Sequence, residues 1–159
     1  MRRELGFLKI AEYSKPFRNV RGHTSELNLT KEEIDEEVGH ESGVYIIVSA
    51  DNTKFVYPKG KSSVIYIGEA KDLHRRLLEH LKYLNCMLDE KSYMRSRTWQ
   101  PCSRYQYMKY YGAYVYTFRC YKTQESKDLE SDILWKFYEK YRSLPVGNGA
   151  RSFKRVDDE

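Results

Sequence analysis

The sequence predicts an α+β fold, a small three-stranded antiparallel sheet flanked by helices. Two β-rich apolar runs, residues 43–49 and 64–68, stand near enough to pair as a hairpin, and residues 113–120 alternate as a third strand. Two stretches with apolar residues at helical spacing, about 72–84 and 126–143, lie between and after these strands. The resulting order, hairpin, helix, strand, helix, belongs to helices packed on an antiparallel sheet.

Residues 1–42 form an N-terminal arm. Phe7-Leu8-Lys9-Ile10 is expected as a short strand, and Pro16 and Gly22 sit in a polar, loop-like stretch. Thr30-Lys31-Glu32-Glu33 is a capping box that opens a short acidic helix, which Gly39 can close. The main domain is expected over 43–150. Its first strand, Gly43-Val44-Tyr45-Ile46-Ile47-Val48-Ser49, connects to Val64-Ile65-Tyr66-Ile67-Gly68 through a long, partly paired tip with turn signals at Asp51-Asn52 and Pro58-Lys59-Gly60-Lys61. Leu73, Leu77, Leu81 and Leu84 form the stripe of the next helix, with Arg76, His80 and Tyr83 on a neighbouring face. An insertion of about 85–112, basic, aromatic and interrupted by Pro101, precedes the third strand. Leu129, Ile133, Leu134, Phe137 and Tyr141 give the last helix its inner face, and Pro145 and Gly147 end it. Residues 151–159 are expected as a C-terminal tail, with Val156-Asp157-Asp158-Glu159 expected to be loose.

Composition excludes several classes. A chain of 159 residues with 40% hydrophobic content supports one domain with a modest core. It has no run of about 18 apolar residues, so no membrane span is expected. Met1-Arg2-Arg3-Glu4-Leu5 leads into no apolar stretch, so no secretory signal is expected and the expected location is cytoplasmic. Cys86, Cys102 and Cys120 are odd in number and lack a CxxC pair, which argues against a disulfide framework or zinc site. Cys120, at a strand end, is the cysteine expected to be buried.

The net charge is +5, and its distribution is uneven. Lys91, Arg95, Arg97, Arg104, Lys109, Arg119 and Lys122 fall in a window without Asp or Glu, leaving 21 basic against 23 acidic residues elsewhere. Tyr93, Trp99 and seven further tyrosines interleave with these cations. Such a window suits nucleic acid, through phosphate neutralisation and base stacking. Equally, its tyrosines can fill a core while its cations are solvated.

Glu130 precedes Ile133, Leu134 and Phe137 by three, four and seven positions, which puts a carboxylate on an apolar helix face. It either salt-bridges at the core boundary or holds a divalent metal, since Mg²⁺ takes one or two carboxylates and completes its shell with water and phosphate oxygens. Tyr45 and Tyr66 can be neighbours on one face of the hairpin, as ordinary packing or as a functional pair. Gly68 would leave room for backbone or phosphate to approach. His23, His40 and His74 have no ligand-like partners at useful spacing and are expected on the surface or in loops.

Gly43-Val44-Tyr45 and Tyr66-Ile67-Gly68 resemble the paired signature of the GIY-YIG nuclease family, with Val44 in place of the usual Ile. The similarity continues through the Arg76–His80 helix, the Glu-bearing helix at Leu129-Glu130 and Ile133-Leu134, and Asn148 at the position of a closing Asn, covering roughly 43–150. The 21-residue step from Tyr45 to Tyr66 and the long basic segment after His80 depart from the minimal pattern. The resemblance implies a GIY-YIG-like sheet and metal-dependent hydrolysis of DNA phosphodiesters by a restriction, homing or repair member.

The roles it implies follow residue by residue. Glu130 would hold Mg²⁺ (or Mn²⁺) and Arg76 would neutralise charge on the phosphate. Tyr45 would take a proton from the attacking water, given positive charge nearby from Arg76, the metal or Lys71. Tyr66 would orient water or phosphate. His80 would share a proton or serve structure, and Asn148 would fix the loop near Glu130. Lys71, Arg95, Arg97, Arg104 and Lys109 are the expected nucleic-acid contacts. The alternative is a non-catalytic nucleic-acid-binding module on the same fold.

Overall fold

The structure, a computed structural model, describes residues 5–8, 20–88 and 103–148. In chain order its elements are β1 (Val20–Asn28), α1 (Lys31–Glu37), β2 (Ser42–Val48), β3 (Phe55–Tyr57), β4 (Gly60–Ser62), β5 (Val64–Ala70), α2 (Leu73–Leu88), α3 (Ser103–Tyr111), β6 (Tyr114–Cys120) and α4 (Thr123–Tyr141). The architecture is α+β. The main sheet is antiparallel in the order β1-β6-β2-β5 and has four strands, not the expected three.

The added strand, β1, comes from the stretch around Gly22 expected as loop. It is polar, lies at the sheet edge and is irregular, with register shifts on either side of His23. An edge strand with one buried face needs few apolar residues; here Ser25, Leu27 and Leu29 alternate inward. By contrast, β2 is central and covered on both faces, and all seven of its residues are buried. This burial explains its continuous apolar run.

Two cores sandwich the sheet. On one face Val44, Ile46, Val48, Tyr116 and Phe118 meet Ile133, Leu134 and Phe137 of α4. On the other, Tyr45, Ile47 and Val115 meet Ile34 of α1, Leu73 and Leu77 of α2, and Met108 of α3. The stripe of α2 is as expected, although the helix runs on to Leu88. The helix α3 departs from expectation, since that segment reads as irregular insertion. Helix α4 begins at Thr123, where the Glu125 carboxylate accepts the backbone N–H groups of Tyr121 and Lys122 at 3.0 and 3.1 Å.

Thr30 caps α1 as expected, its hydroxyl accepting the Glu33 N–H at 3.3 Å. The hairpin tip is partly paired, as β3 with β4, and it folds back onto α4: the Tyr57 ring lies 5.2 Å from Phe137 and its hydroxyl accepts the Val146 N–H at 3.0 Å. Leu5 and Leu8 are buried in the α4-side core, but Phe7 and Leu8 form no strand; Lys9 and Ile10 lie outside the described residues. Cys120 is buried, as expected, and burial pushes its thiol up to about 11. Among the described residues, no helix is long and apolar enough to cross a membrane.

Candidate active site

The site is built from β2, β5, α2 and α3, on the sheet face opposite α4. Antiparallel pairing sets Tyr45 directly across from Gly68 and Ile47 across from Tyr66, so the two tyrosines are diagonal neighbours with ring centroids 5.9 Å apart. Gly68 serves this arrangement rather than an approaching phosphate. A Cβ there would meet the Tyr45 Cζ and hydroxyl at 2.6 Å and Tyr66 Cε1 at 2.7 Å, so the Tyr45 ring occupies the space the glycine leaves. Gly43 is likewise fixed by packing, because a Cβ would strike the Phe118 carbonyl and approach Leu73 Cδ1 to 2.7 Å.

The face of α2 turned toward these tyrosines carries Arg76 and, one turn on, His80. The Tyr45 hydroxyl and His80 Nε2 are hydrogen-bonded at 2.6 Å, and His80 Nδ1 bonds the Tyr105 hydroxyl of α3 at 2.8 Å. Tyr45, His80 and Tyr105 are all buried. The Arg76 guanidinium lies beside the Tyr45 hydroxyl, is held at 3.2 Å by the Glu79 carboxylate, and keeps nearly half of its side chain in solvent. Arg104, at the start of α3, stacks over the Tyr66 ring with Cζ 4.0 Å from the centroid. Its Nε is buried without a hydrogen-bond partner among the described residues.

Electrostatics distinguish the members of this cluster. Burial, reinforced by Tyr66, pushes the Tyr45 phenol well above its ordinary value, and the opposing pull of Arg76 and Arg104 does not offset it. The positive charge expected to activate Tyr45 is therefore present, yet Tyr45 remains a phenol. Burial, followed by Arg76 and Arg104, lowers His80 to about 3 and holds the imidazole neutral.

Of the expected site residues, Tyr45, Tyr66, Arg76 and His80 come together. Glu130 is buried as expected but belongs to the other layer, on the helix that packs against the opposite sheet face. Asn148 caps the outer edge of β5: its Oδ1 accepts the Ile67 N–H at 3.1 Å and its Nδ2 donates to the Ile67 carbonyl at 2.9 Å. Beside it, the Gly147 N–H donates to the Ile65 carbonyl at 2.7 Å. Lys71 is exposed in the turn after β5, and Lys109 is exposed on α3 with its ammonium 5.8 Å from the Tyr110 ring centroid. Arg95 and Arg97 lie outside the described residues.

Arg104, expected as a nucleic-acid contact, belongs to the cluster itself. Two residues escape a reading of the site from sequence. Tyr105 carries no local signal of its role, one tyrosine among 15. Glu69 follows Gly68 and so faces the α4 layer, with its Oε2 buried and without a hydrogen-bond partner among the described residues. His40 is exposed in the loop after α1, as expected, and pairs with Asp72 at 2.8 Å; His74, expected on the surface or in a loop, lies in the first turn of α2, largely covered, and pairs with Asp35 at 2.8 Å.

For a metal, Glu130 and Glu69 supply carboxylate oxygens on one side of the sheet, the donor chemistry that a hard divalent cation takes. Among the described residues, no group of three or more His, Cys, Asp or Glu is clustered to hold an ion. Comparison of the chain with known protein families, with curated proteins and with solved structures finds no match.

Proposed function

We propose that this chain is a metal-dependent endonuclease that hydrolyses DNA phosphodiester bonds, acting in the manner its GIY-YIG resemblance implies. One observation carries the reading: a buried phenol, Tyr45, is hydrogen-bonded to a neutral imidazole, His80, and has a half-exposed guanidinium, Arg76, beside it. That is a proton acceptor and a phosphate clamp within reach of the same group.

In this reading Arg76 binds the phosphate and offsets the charge that grows on its oxygens, for which its planar set of donors is suited. Arg104, supplied by α3, adds a second positive charge above Tyr66. Tyr45 needs no preformed phenolate. Its oxygen takes a proton from the attacking water as its own proton passes to His80 Nε2. Tyr66 orients the substrate, and Gly147 and Asn148 hold the edge of β5 in place. Glu130, with Glu69, would hold Mg²⁺ or Mn²⁺, which when bound supplies charge neutralisation at the leaving oxygen. Because β5 is an edge strand, Tyr66 and Glu69 lie on opposite faces at the sheet's edge, which is where a phosphate would bind to meet both layers.

The full burial of Tyr45 favours the second reading, a nucleic-acid-binding module in which the tyrosine is packing. Supercoiled plasmid incubated with the protein and Mg²⁺, Mn²⁺ or EDTA separates the two. Nicking or linearisation with metal and none with EDTA is expected. A folded protein that retards DNA without cutting it under any condition would leave the binding module.

A further inference from the structure

We propose that Tyr105, from the inserted helix α3, positions His80 for proton transfer by accepting its Nδ1–H, which leaves Nε2 to receive the Tyr45 proton. The catalytic part of this inference rests on the nuclease reading; the hydrogen-bonding part does not. A neutral imidazole carries one N–H, so with a phenol on each nitrogen only two patterns exist. Either Tyr45 donates to Nε2 and Nδ1 donates to Tyr105, or both bonds run the other way.

Arg76 selects between them. A guanidinium offers only donors, so the side of the Tyr45 oxygen that faces Arg76 must present lone pairs. If the same oxygen also accepted Nε2–H, the buried Tyr45 O–H would have no acceptor among the described residues, so the phenolic proton points to Nε2, and the 2.6 Å separation suits an O–H donor to nitrogen. Nδ1 consequently holds the ring proton, 2.8 Å from the Tyr105 oxygen. Without that acceptor, a buried N–H would be left unsatisfied, so the preference for this tautomer weakens and the opposite one, with Nε2–H turned toward Tyr45, gains population. Tyr45 would then have no acceptor for its own proton.

The water oxygen forms the new bond to phosphorus, its O–H breaks, and that proton goes to the Tyr45 oxygen. The Tyr45 O–H breaks and its proton goes to Nε2, while Nδ1–H stays directed at Tyr105. The ester oxygen leaves with its electron pair. The transient imidazolium, disfavoured by burial and the two guanidiniums, returns its extra proton to the leaving oxygen or to solvent.

Imidazole-nitrogen NMR on protein labelled in its four histidines, with His80 assigned through His80→Gln, reads the tautomer directly. We expect Nδ1 protonated and Nε2 unprotonated in the wild type, and a mixture of the two tautomers in Tyr105→Phe, which keeps the aromatic packing. With Mg²⁺ and saturating plasmid, Tyr105→Phe should nick about 10- to 100-fold more slowly, with KM within about 2-fold of wild type. Nε2–H in the wild type overturns the inference, as does a Tyr105→Phe protein with unchanged tautomer, or with wild-type rate despite a changed one. If Tyr105→Phe does not fold, the wild-type ring decides, Nδ1–H supporting and Nε2–H overturning. Should the wild type fail to nick with Mg²⁺ or Mn²⁺, the nuclease reading falls and the NMR result still judges Tyr105.

Discussion

Tyr45 sits where three demands meet: a ring that fills the space above Gly68, a hydroxyl bonded to His80, and a guanidinium at its edge. Tyr45→Phe keeps the first and deletes the other two. Nicking should therefore fall by about 10²-fold or more in a protein that still folds; Tyr66→Phe, whose ring still carries Arg104, should lose less. Equal, small losses from both would make the pair packing alone. Gly68→Ala tests the packing directly, because its Cβ would sit 2.6 Å from the Tyr45 ring. A loss of about 1–3 kcal/mol in unfolding free energy is expected from denaturant titration, and wild-type stability would contradict the close approach. Glu130→Gln removes a charge without opening a cavity, so it should abolish cleavage and spare DNA binding. A variant that cuts at wild-type rate would dismiss Glu130 as the metal carboxylate.

At the scale of elements, the sequence shows what periodic burial dictates and hides what it does not. Strands β2, β5 and β6 are legible because they bury apolar residues in both cores, and helices α2 and α4 because each presents an apolar face to one of them. β1 is not, since a polar edge strand needs only Ser25, Leu27 and Leu29 inward. α3 is hidden because, among its described side chains, it buries Tyr105 and Met108 between more exposed residues, a pattern that tyrosine-rich sequence shares with strands. The site divides along the same line. Arg76 and His80 are legible as a pair one turn apart on a helix, whereas Arg104 and Tyr105 reach Tyr66 and His80 across the chain, with no local signature. The α1–α2 junction yields a further test. Asp72, just before α2, accepts the Arg75 N–H at 3.0 Å and pairs with His40. Although burial acts against it, the Arg75 N–H and His40 hold its carboxyl below the ordinary 3.8. A depressed carboxyl stabilises the fold above its unfolded value and stops doing so as pH falls through its folded value. Asp72→Ala should cost about 1 kcal/mol at neutral pH, and the gap from wild type should shrink below pH 3.8. A gap constant with pH, in thermal melts across that range, would show that the carboxylate charge contributes nothing.

Across the whole molecule, positive charge is concentrated in one segment of a chain that is otherwise slightly acidic, and the structure separates two of that segment's cations by position. Arg104 stacks on Tyr66 inside the candidate site, and Lys109 is exposed on the same helix. The hairpin tip, the other cationic stretch, is pinned to α4 through Tyr57. Cations that only neutralise phosphates should weaken DNA binding alike on all sequences when removed. They should also flatten its salt dependence, by about 0.9 in the log–log slope on duplex DNA for each phosphate no longer neutralised. Replacing Arg95 and Arg97 with Ser should do this and leave the rate on saturating substrate unchanged. Arg104→Ala should reduce both affinity and rate, because its charge lies over Tyr66, beside the groups proposed to react as well as on the proposed binding surface. Fluorescence-anisotropy titrations at several salt concentrations, with single-turnover cleavage in parallel, distinguish the two effects. If Arg104→Ala changes the slope and not the rate, its position over Tyr66 serves binding alone, and Arg76 is the sole guanidinium acting on the phosphate.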